Sequence, residues 1–209
     1  MQARQGRDTV LTKLGLDPAK PSIALLPGSR RGEVDFHLPV MRDAAAQLYR
    51  ERGMQFFCVR ASTIDGRKLE AALQLPALRI PIVDQARYDA LSAADLVWTA
   101  SGTATLETAL LGKPMIVIYR LSWLTYWLAR WLVRVQHIGM VNLLAGERLV
   151  PELIQNEANS ARLVAESKTL LDDRVLRGAI IEKLAKLRAR LGTPGAADRV
   201  AAIALGMLA

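Results

Sequence analysis

Ser101-Gly102-Thr103-Ala104-Thr105-Leu106-Glu107-Thr108-Ala109-Leu110-Leu111-Gly112-Lys113-Pro114 is the stretch on which the reading of this chain turns. Asp95 to Thr99 before it predicts a short strand, and Gly102 relaxes the turn that follows. Ala104 to Leu111 then propagates a helix whose first amides lack intrahelical partners and face an anion. Ser101, Gly102, Thr103, Ala104 and Thr105 together form a candidate phosphate seat. Glu107 sits too deep to hold a phosphate. It is placed to accept hydrogen bonds from a sugar diol, as an acidic residue beyond the glycine turn does in nucleotide-binding βα units. The same residues also suit an ordinary α/β turn, where an early glutamate favours a helix N-terminus without any ligand.

A second glycine turn bears on that choice. Ser22 to Leu26 is a strand-like run ending in Pro27-Gly28-Ser29-Arg30-Arg31-Gly32, which sets a hydroxyl, a flexible backbone and two guanidiniums at the carboxyl end of another strand. Ligands bind along that edge in open α/β sheets. Arg30 and Arg31 read either as a solvated pair or as a fork facing a pyrophosphate. A third constellation joins Val141-Asn142-Leu143-Leu144-Ala145-Gly146 to Val150-Pro151-Glu152-Leu153-Ile154-Gln155. Asn142, Glu152 and Gln155 could read hydroxyls there. Equally, Asn142 stabilises a turn, Pro151 starts a helix and Glu152 supports its first turn.

Taken together, Leu26-Pro27-Gly28-Ser29-Arg30 with Glu33 and His37-Leu38-Pro39, then Tyr88-Asp89-Ala90-Leu91, Ser101 to Glu107, Asn142 to Gly146, and Pro151-Glu152 with Gln155 resemble the lipid-A-disaccharide synthase family. Order and spacing match over nearly the whole chain. The resemblance implies the carboxyl-terminal half of a two-domain GT-B glycosyltransferase. Its donor site would comprise Gly28, Ser29, Arg30, Ser101 to Thr105, Glu107, Asn142, Glu152 and Gln155. Such an enzyme joins UDP-2,3-diacylglucosamine to 2,3-diacylglucosamine 1-phosphate, forming a β-1,6 disaccharide and releasing UDP. The implied partners are these two substrates and either an amino-terminal half that supplies the general base or a homodimer mate. Gly139-Met140-Val141-Asn142 departs from the Ser-Leu-Pro-Asn usual in the family, so the loop lacks the proline that restricts its approach.

The rest of the chain alternates. Strands are expected at Ile23 to Leu26, Gln55 to Val59, Leu78 to Ile82, Leu96 to Thr99 and Met115 to Tyr119. Helices are expected near Pro39 to Arg52, Gly66 to Leu73, Tyr88 to Ala93 and Ala104 to Leu111. This pattern predicts an α/β, Rossmann-like parallel sheet covered on both faces, over residues 21–159. Residues 1–20, with a short helix near Thr9 to Leu14, read as a linker. Residues 160–209 read as a helical tail of three segments, Ser160 to Leu171, Val175 to Leu191 and Ala196 to Leu208, packing on the domain or reaching to a partner half.

The 209 residues carry 28 Lys and Arg against 20 Asp and Glu, a net charge of +8 that favours anionic partners. Nucleic acid is set aside because zinc-finger spacings and aromatic RNA-binding patterns are missing, and the basic run from Lys183 to Arg190 reads as the wet face of a helix. Cys58, the one cysteine, lies in the apolar run Phe56-Phe57-Cys58-Val59 and excludes an intrachain disulfide. The first residues lack an apolar signal core, so a cytoplasmic setting is expected. His37 and His137 have no companions at ligand spacing, and neither a metal nor a cofactor is expected.

From Trp123 to Val133 the chain is mostly large and apolar, with Trp123, Trp127 and Trp131 four residues apart and Arg130 and Arg134 beside them. The run is too short to span a bilayer, which takes roughly 20 apolar residues. It reads as a buried helix or as an interfacial helix at a membrane surface, which the family resemblance implies to be the cytoplasmic face of the inner membrane. Three function classes are consistent with the sequence: a glycosyltransferase half, a non-catalytic UDP-sugar-binding module, and half of a UDP-sugar epimerase. The tryptophan segment has no evident use in the last.

Overall fold

A computed structural model describes residues 3–121 and 137–191, together with Gly195, Ala201 and Ala204. The candidate membrane-contact residues Trp123, Trp127, Arg130, Trp131 and Arg134 lie outside the described residues, as does most of the third tail helix. No described helix is long and apolar enough to cross a membrane.

Continuous apolar runs become strands buried on both sides. β1 (Ser22–Leu26) and β4 (Leu96–Ala100) have every residue buried, the signature of a parallel strand with helices on either face. Between and beside them run β2 (Gln55–Val59), β3 (Ile82–Val83), β5 (Met115–Tyr119) and β6 (Glu152–Ile154). All pairings are parallel and the order is β3-β2-β1-β4-β5-β6. The chain starts at the centre, winds one way to β3, then crosses to β4 and winds the other way. That reversal leaves a crevice between the carboxyl ends of β1 and β4, the switch point where such sheets take ligands.

The helices are α1 (Arg7–Lys13), α2 (Arg31–Arg52), α3 (Gly66–Leu73), α4 (Arg87–Ala93), α5 (Thr103–Leu110), α6 (Met140–Ala145), α7 (Ser160–Asp172) and α8 (Arg174–Arg190). α2 packs on α7, and α1 on α4. Trp98 at the centre of β4 is fully buried against Phe56, with ring centroids 5.6 Å apart. Its indole N–H donates to Ser167 Oγ on α7 at 2.9 Å, which spares a buried donor and fixes α7 on the sheet. Asn159 and Asp173 cap α7 and α8 through the N–H groups of Arg162 and Leu176. Such caps stabilise by typically about 1 kcal/mol each.

Three expectations shift. α2 starts at Arg31, not at Pro39, and runs through the proline. Glu33 caps its first turn, and eight buried residues along its inner face outweigh the one missing amide. The third strand is Ile82–Val83, not Leu78 to Ile82, because Pro81 has no N–H to offer and pairing is confined to Cys58 and Val59 of β2. Pro151 precedes a strand, not a helix: Glu152–Ile154 adds a sixth strand beside Val117–Tyr119. The entry segment is also docked. Val10 and Leu11 of α1 are buried, Asp89 accepts the amides of Arg4 and Gln5, and Arg7 pairs with Asp95.

Candidate functional site

Two loops meet at the switch point. After β1, Gly28 takes φ 134°, and a Cβ there would stand 2.6 Å from Glu33 Cβ and 2.7 Å from its Oε2. Only glycine fits. Glu33 exploits the space: its Oε2 accepts the N–H groups of Ser29 at 3.0 Å and Arg30 at 3.2 Å. The Ser29 carbonyl accepts from Thr63 Oγ1 in the loop after β2. The amides expected to face a ligand in this loop are thus held by a carboxylate of the chain itself. The Arg30 side chain remains 86% exposed, with its nearest carboxylate, Glu33, at 3.8 Å. Arg31 points to Asp35 on the surface.

After β4, Gly102 takes φ 153° and starts α5 without a side-chain cap. The first amides of α5, those of Thr103 and Ala104, have no partner within the helix, which gives this end a partial positive charge. Thr105 Oγ1 donates to the Gly102 carbonyl at 2.7 Å and tightens the first turn. Ser101 Oγ donates to the Ile138 carbonyl at 3.1 Å, joining this loop to the approach to α6.

Between the loops lies a cavity of about 360 Å³. Gly28, Ser29, Arg30 and Glu33 line one side, Ser101 to Ala104 another, and Arg87 and Met140 complete it. A larger concavity, about 1210 Å³, runs along the β3 edge between α3 and Lys13, away from the switch point. Its walls mix apolar side chains such as Leu75 and Leu78 with the charged Lys13, Arg67, Glu70, Arg79 and Asp84, and it lies apart from both glycine turns.

Glu107 is not a wall of the smaller cavity. Its Oε2 meets Arg87 Nη2 at 2.6 Å, a close charge approach without a well-directed hydrogen bond, because Oε2 and Arg87 Nε are both buried and unpartnered. Arg87 is the cavity-lining member of the pair. Nothing local in the sequence marks it. It meets Glu107 because α4 and α5 precede and follow β4, and the first residue of α4 comes within reach of the α5 carboxylate.

Asn142, Glu152 and Gln155 stand behind the cavity, and backbone groups engage their polar atoms. Asn142 is fully buried; its Oδ1 accepts Val150 N–H at 2.9 Å, and its Nδ2 donates to the Val150 carbonyl and to Glu152 Oε1. Glu152 accepts the amides of Ile138 and Gly139. Gln155 accepts from Leu121 N–H at 2.8 Å and donates to the Leu121 carbonyl. These residues therefore pin the chain at both Leu121 and Gly139. A fourth anchor went unread in the sequence: His37 Nδ1 donates to the Pro27 carbonyl and Nε2 accepts from Arg120 N–H, so the ring is neutral with its proton on Nδ1. Burial pushes its pKa below the ordinary value.

Among the described residues, no three His, Cys, Asp or Glu side chains are grouped to hold a metal ion. Cys58 is buried in β2, where desolvation pushes its thiol up to about 12 and keeps it out of chemistry.

The family model described as lipid-A-disaccharide synthetase matches residues 1–194. A lipid-A-disaccharide synthase of Geobacter sulfurreducens is 43% identical over 205 residues, covering 97% of this chain and 53% of that protein. One of Syntrophus aciditrophicus is 46% identical over 212 residues, covering 100% of this chain and 55% of that protein. The chain spans about half the length of these relatives. Among solved structures, WaaG, a glycosyltransferase involved in lipopolysaccharide biosynthesis, superposes with a TM-score of 0.59 at 16% identity, over 90% of this chain and 48% of its own. The spinosyn rhamnosyltransferase SpnG does so with a TM-score of 0.60 at 19% identity, over 87% and 45%. These two likenesses show a fold shared with halves of glycosyltransferases.

Proposed function

The chain belongs to the lipid-A-disaccharide synthase family, and from that premise we propose that it is the half of such a glycosyltransferase that holds the UDP-sugar. The observation that carries the reading is the meeting of the Arg30 loop and the open end of α5 over one cavity at the β1/β4 switch point. The amides of Thr103 and Ala104, with Arg30, take the diphosphate, while Glu107 accepts the ribose hydroxyls. Asn142, Glu152 and Gln155 act from behind, holding the loops that complete the site. Since Glu33 already satisfies the amides of Ser29 and Arg30, the phosphates lie toward α5.

The donor is UDP-2,3-diacylglucosamine and the acceptor 2,3-diacylglucosamine 1-phosphate. The acceptor hydroxyl attacks the anomeric carbon as the bond to UDP breaks, with inversion. A base on an amino-terminal half removes the hydroxyl proton, and Arg30 and the α5 amides stabilise the departing diphosphate. Trp123, Trp127 and Trp131, with Arg130 and Arg134, meet the acyl chains and headgroups at the cytoplasmic face of the inner membrane.

Titration calorimetry with UDP tests the reading. We expect saturable binding, weakened roughly ten- to hundredfold in Glu107→Ala, the loss that removing a charged hydrogen-bond partner brings. Equal affinity for mutant and parent removes Glu107 from the site. Absence of binding to the parent chain overturns the proposal.

A further inference from the structure

The guanidinium that reaches the cavity from α4 has no counterpart in the sequence reading. We propose that Arg87 is a further nucleotide-binding residue, a second guanidinium for the diphosphate, anchored by Glu107. The inference rests on the UDP-sugar reading above and adds to it a residue that the motifs do not contain.

Three observations converge. The first is charge. Among the described walls of the cavity the ionised side chains are Arg30, Glu33 and Arg87. Without Arg87 they would sum to zero, which is no attraction for a diphosphate. With it the lining is net positive. Glu107, outside the lining but 2.6 Å from Arg87 Nη2, offsets part of that charge, while the guanidinium carries donors enough for an anion as well.

The second is the incompleteness of the pair. Arg87 Nη2 and Glu107 Oε2 stand 2.6 Å apart, yet Arg87 Nε and Glu107 Oε2 are both shut from solvent without a directed hydrogen bond. Buried polar atoms are rarely left so, and each exception calls for an explanation; a ligand that shares the carboxylate supplies one here. A carboxylate has lone pairs enough for the guanidinium on one oxygen and a diol on the other. Such sharing sets Arg87 beside the ribose, on the path to the phosphates.

The third is backbone strain. Ala86, immediately before Arg87, adopts φ 53° and ψ 40°, a left-handed conformation that a residue with a Cβ disfavours. It starts α4 without a side-chain cap. Strain of this kind collects where a side chain must be aimed. Here the side chain that follows is the one that lines the cavity.

The test is a ladder of affinities for uridine, UMP and UDP, measured by calorimetry on the parent, Arg87→Gln and Arg87→Lys. We expect Arg87→Gln to weaken UDP roughly ten- to hundredfold while uridine changes less than about threefold. Arg87→Lys, which keeps the charge without the planar fork, should fall between. Equal losses for UDP and uridine reduce Arg87 to a structural partner of Glu107 and overturn the inference, as does an unchanged ladder. If Arg87→Gln does not fold, because it strands the Glu107 carboxylate, Arg87→Lys decides by the same comparison. A parent that binds UDP beside variants with an unchanged ladder removes Arg87 alone. A parent that binds no UDP removes the functional reading and this residue with it.

Discussion

His37 Nε2 accepts the backbone N–H of Arg120 at 3.0 Å, tying α2 to the residue that follows β5. The bond requires a neutral imidazole, and burial holds the pKa below its ordinary 6.5, with the Arg120 charge a smaller contribution in the same direction. The sign follows. Above about pH 6.5 the ring is neutral in the folded and unfolded chain alike. As pH falls below that value the unfolded chain takes up the proton first, so stability declines until the folded pKa is passed. Urea unfolding at pH 7.5 and pH 5.5 should show a larger drop for the parent than for His37→Gln. The carboxylates held low by their partners, Glu51, Asp89 and Asp172, lose their contribution only at lower pH and do not confuse this window. An equal drop in both proteins would show that His37 is not the titrating group.

Arg30 presents the opposite case, a side chain 86% exposed with a loose ion pair to Glu33 at 3.8 Å. Its replacement should leave folding untouched. Lysine retains the charge but loses the fork that grips two phosphate oxygens at once. In Arg30→Lys, UDP affinity should fall more than uridine affinity while the melting temperature stays put. No change in either affinity would leave Arg30 as surface.

Asn142 separates two readings of the same amide. It is fully buried and makes three hydrogen bonds, to both polar groups of Val150 and to Glu152 Oε1 at 2.8 Å. Asn142→Ala leaves Val150 N–H and the Glu152 carboxylate short of partners. Each unsatisfied group costs about 1–3 kcal/mol, so the expected loss of stability is about 2–4 kcal/mol. Chemical denaturation measures it directly. An unchanged urea midpoint combined with weaker UDP binding would instead make Asn142 a ligand contact.

The sequence yielded what is local. β1, β2, β4 and β5 are continuous apolar runs, and the two glycine turns stand at strand ends, so the sheet and the cavity between its loops could be expected before any coordinates. What escaped depends on distance in the chain or on competition between local rules. Pro39 read as a helix start because proline favours that place, whereas capping by Glu33 and the buried face of α2 carry the helix through it. β6 has three residues and begins after a proline, so only its pairing with Val117–Tyr119 reveals it. Arg87 and Glu107 are far apart in sequence and meet because α4 and α5 precede and follow β4. Asn142, Glu152 and Gln155 share one amide-and-carboxylate pattern that suits hydroxyl recognition and backbone anchoring equally. Composition alone does not choose between them.

The chain by itself should bind without turnover. A general base must come within about 2.6 to 3.2 Å of the acceptor hydroxyl, directly or through one water. Among the described residues the groups at the site are already committed. Glu33 accepts the amides of Ser29 and Arg30, Glu107 meets Arg87, Glu152 accepts from Ile138, Gly139 and Asn142, and both ring nitrogens of His37 are bonded. Taking the acceptor proton would require one of them to abandon these partners. The purified chain, incubated in detergent with both diacylated substrates, should therefore give no disaccharide by mass spectrometry. Adding the amino-terminal half of a family member should restore it. Product from the chain alone would overturn this division of labour and direct the search for the base to Asp35, exposed beside Arg31, and to Asp84, paired with Arg60.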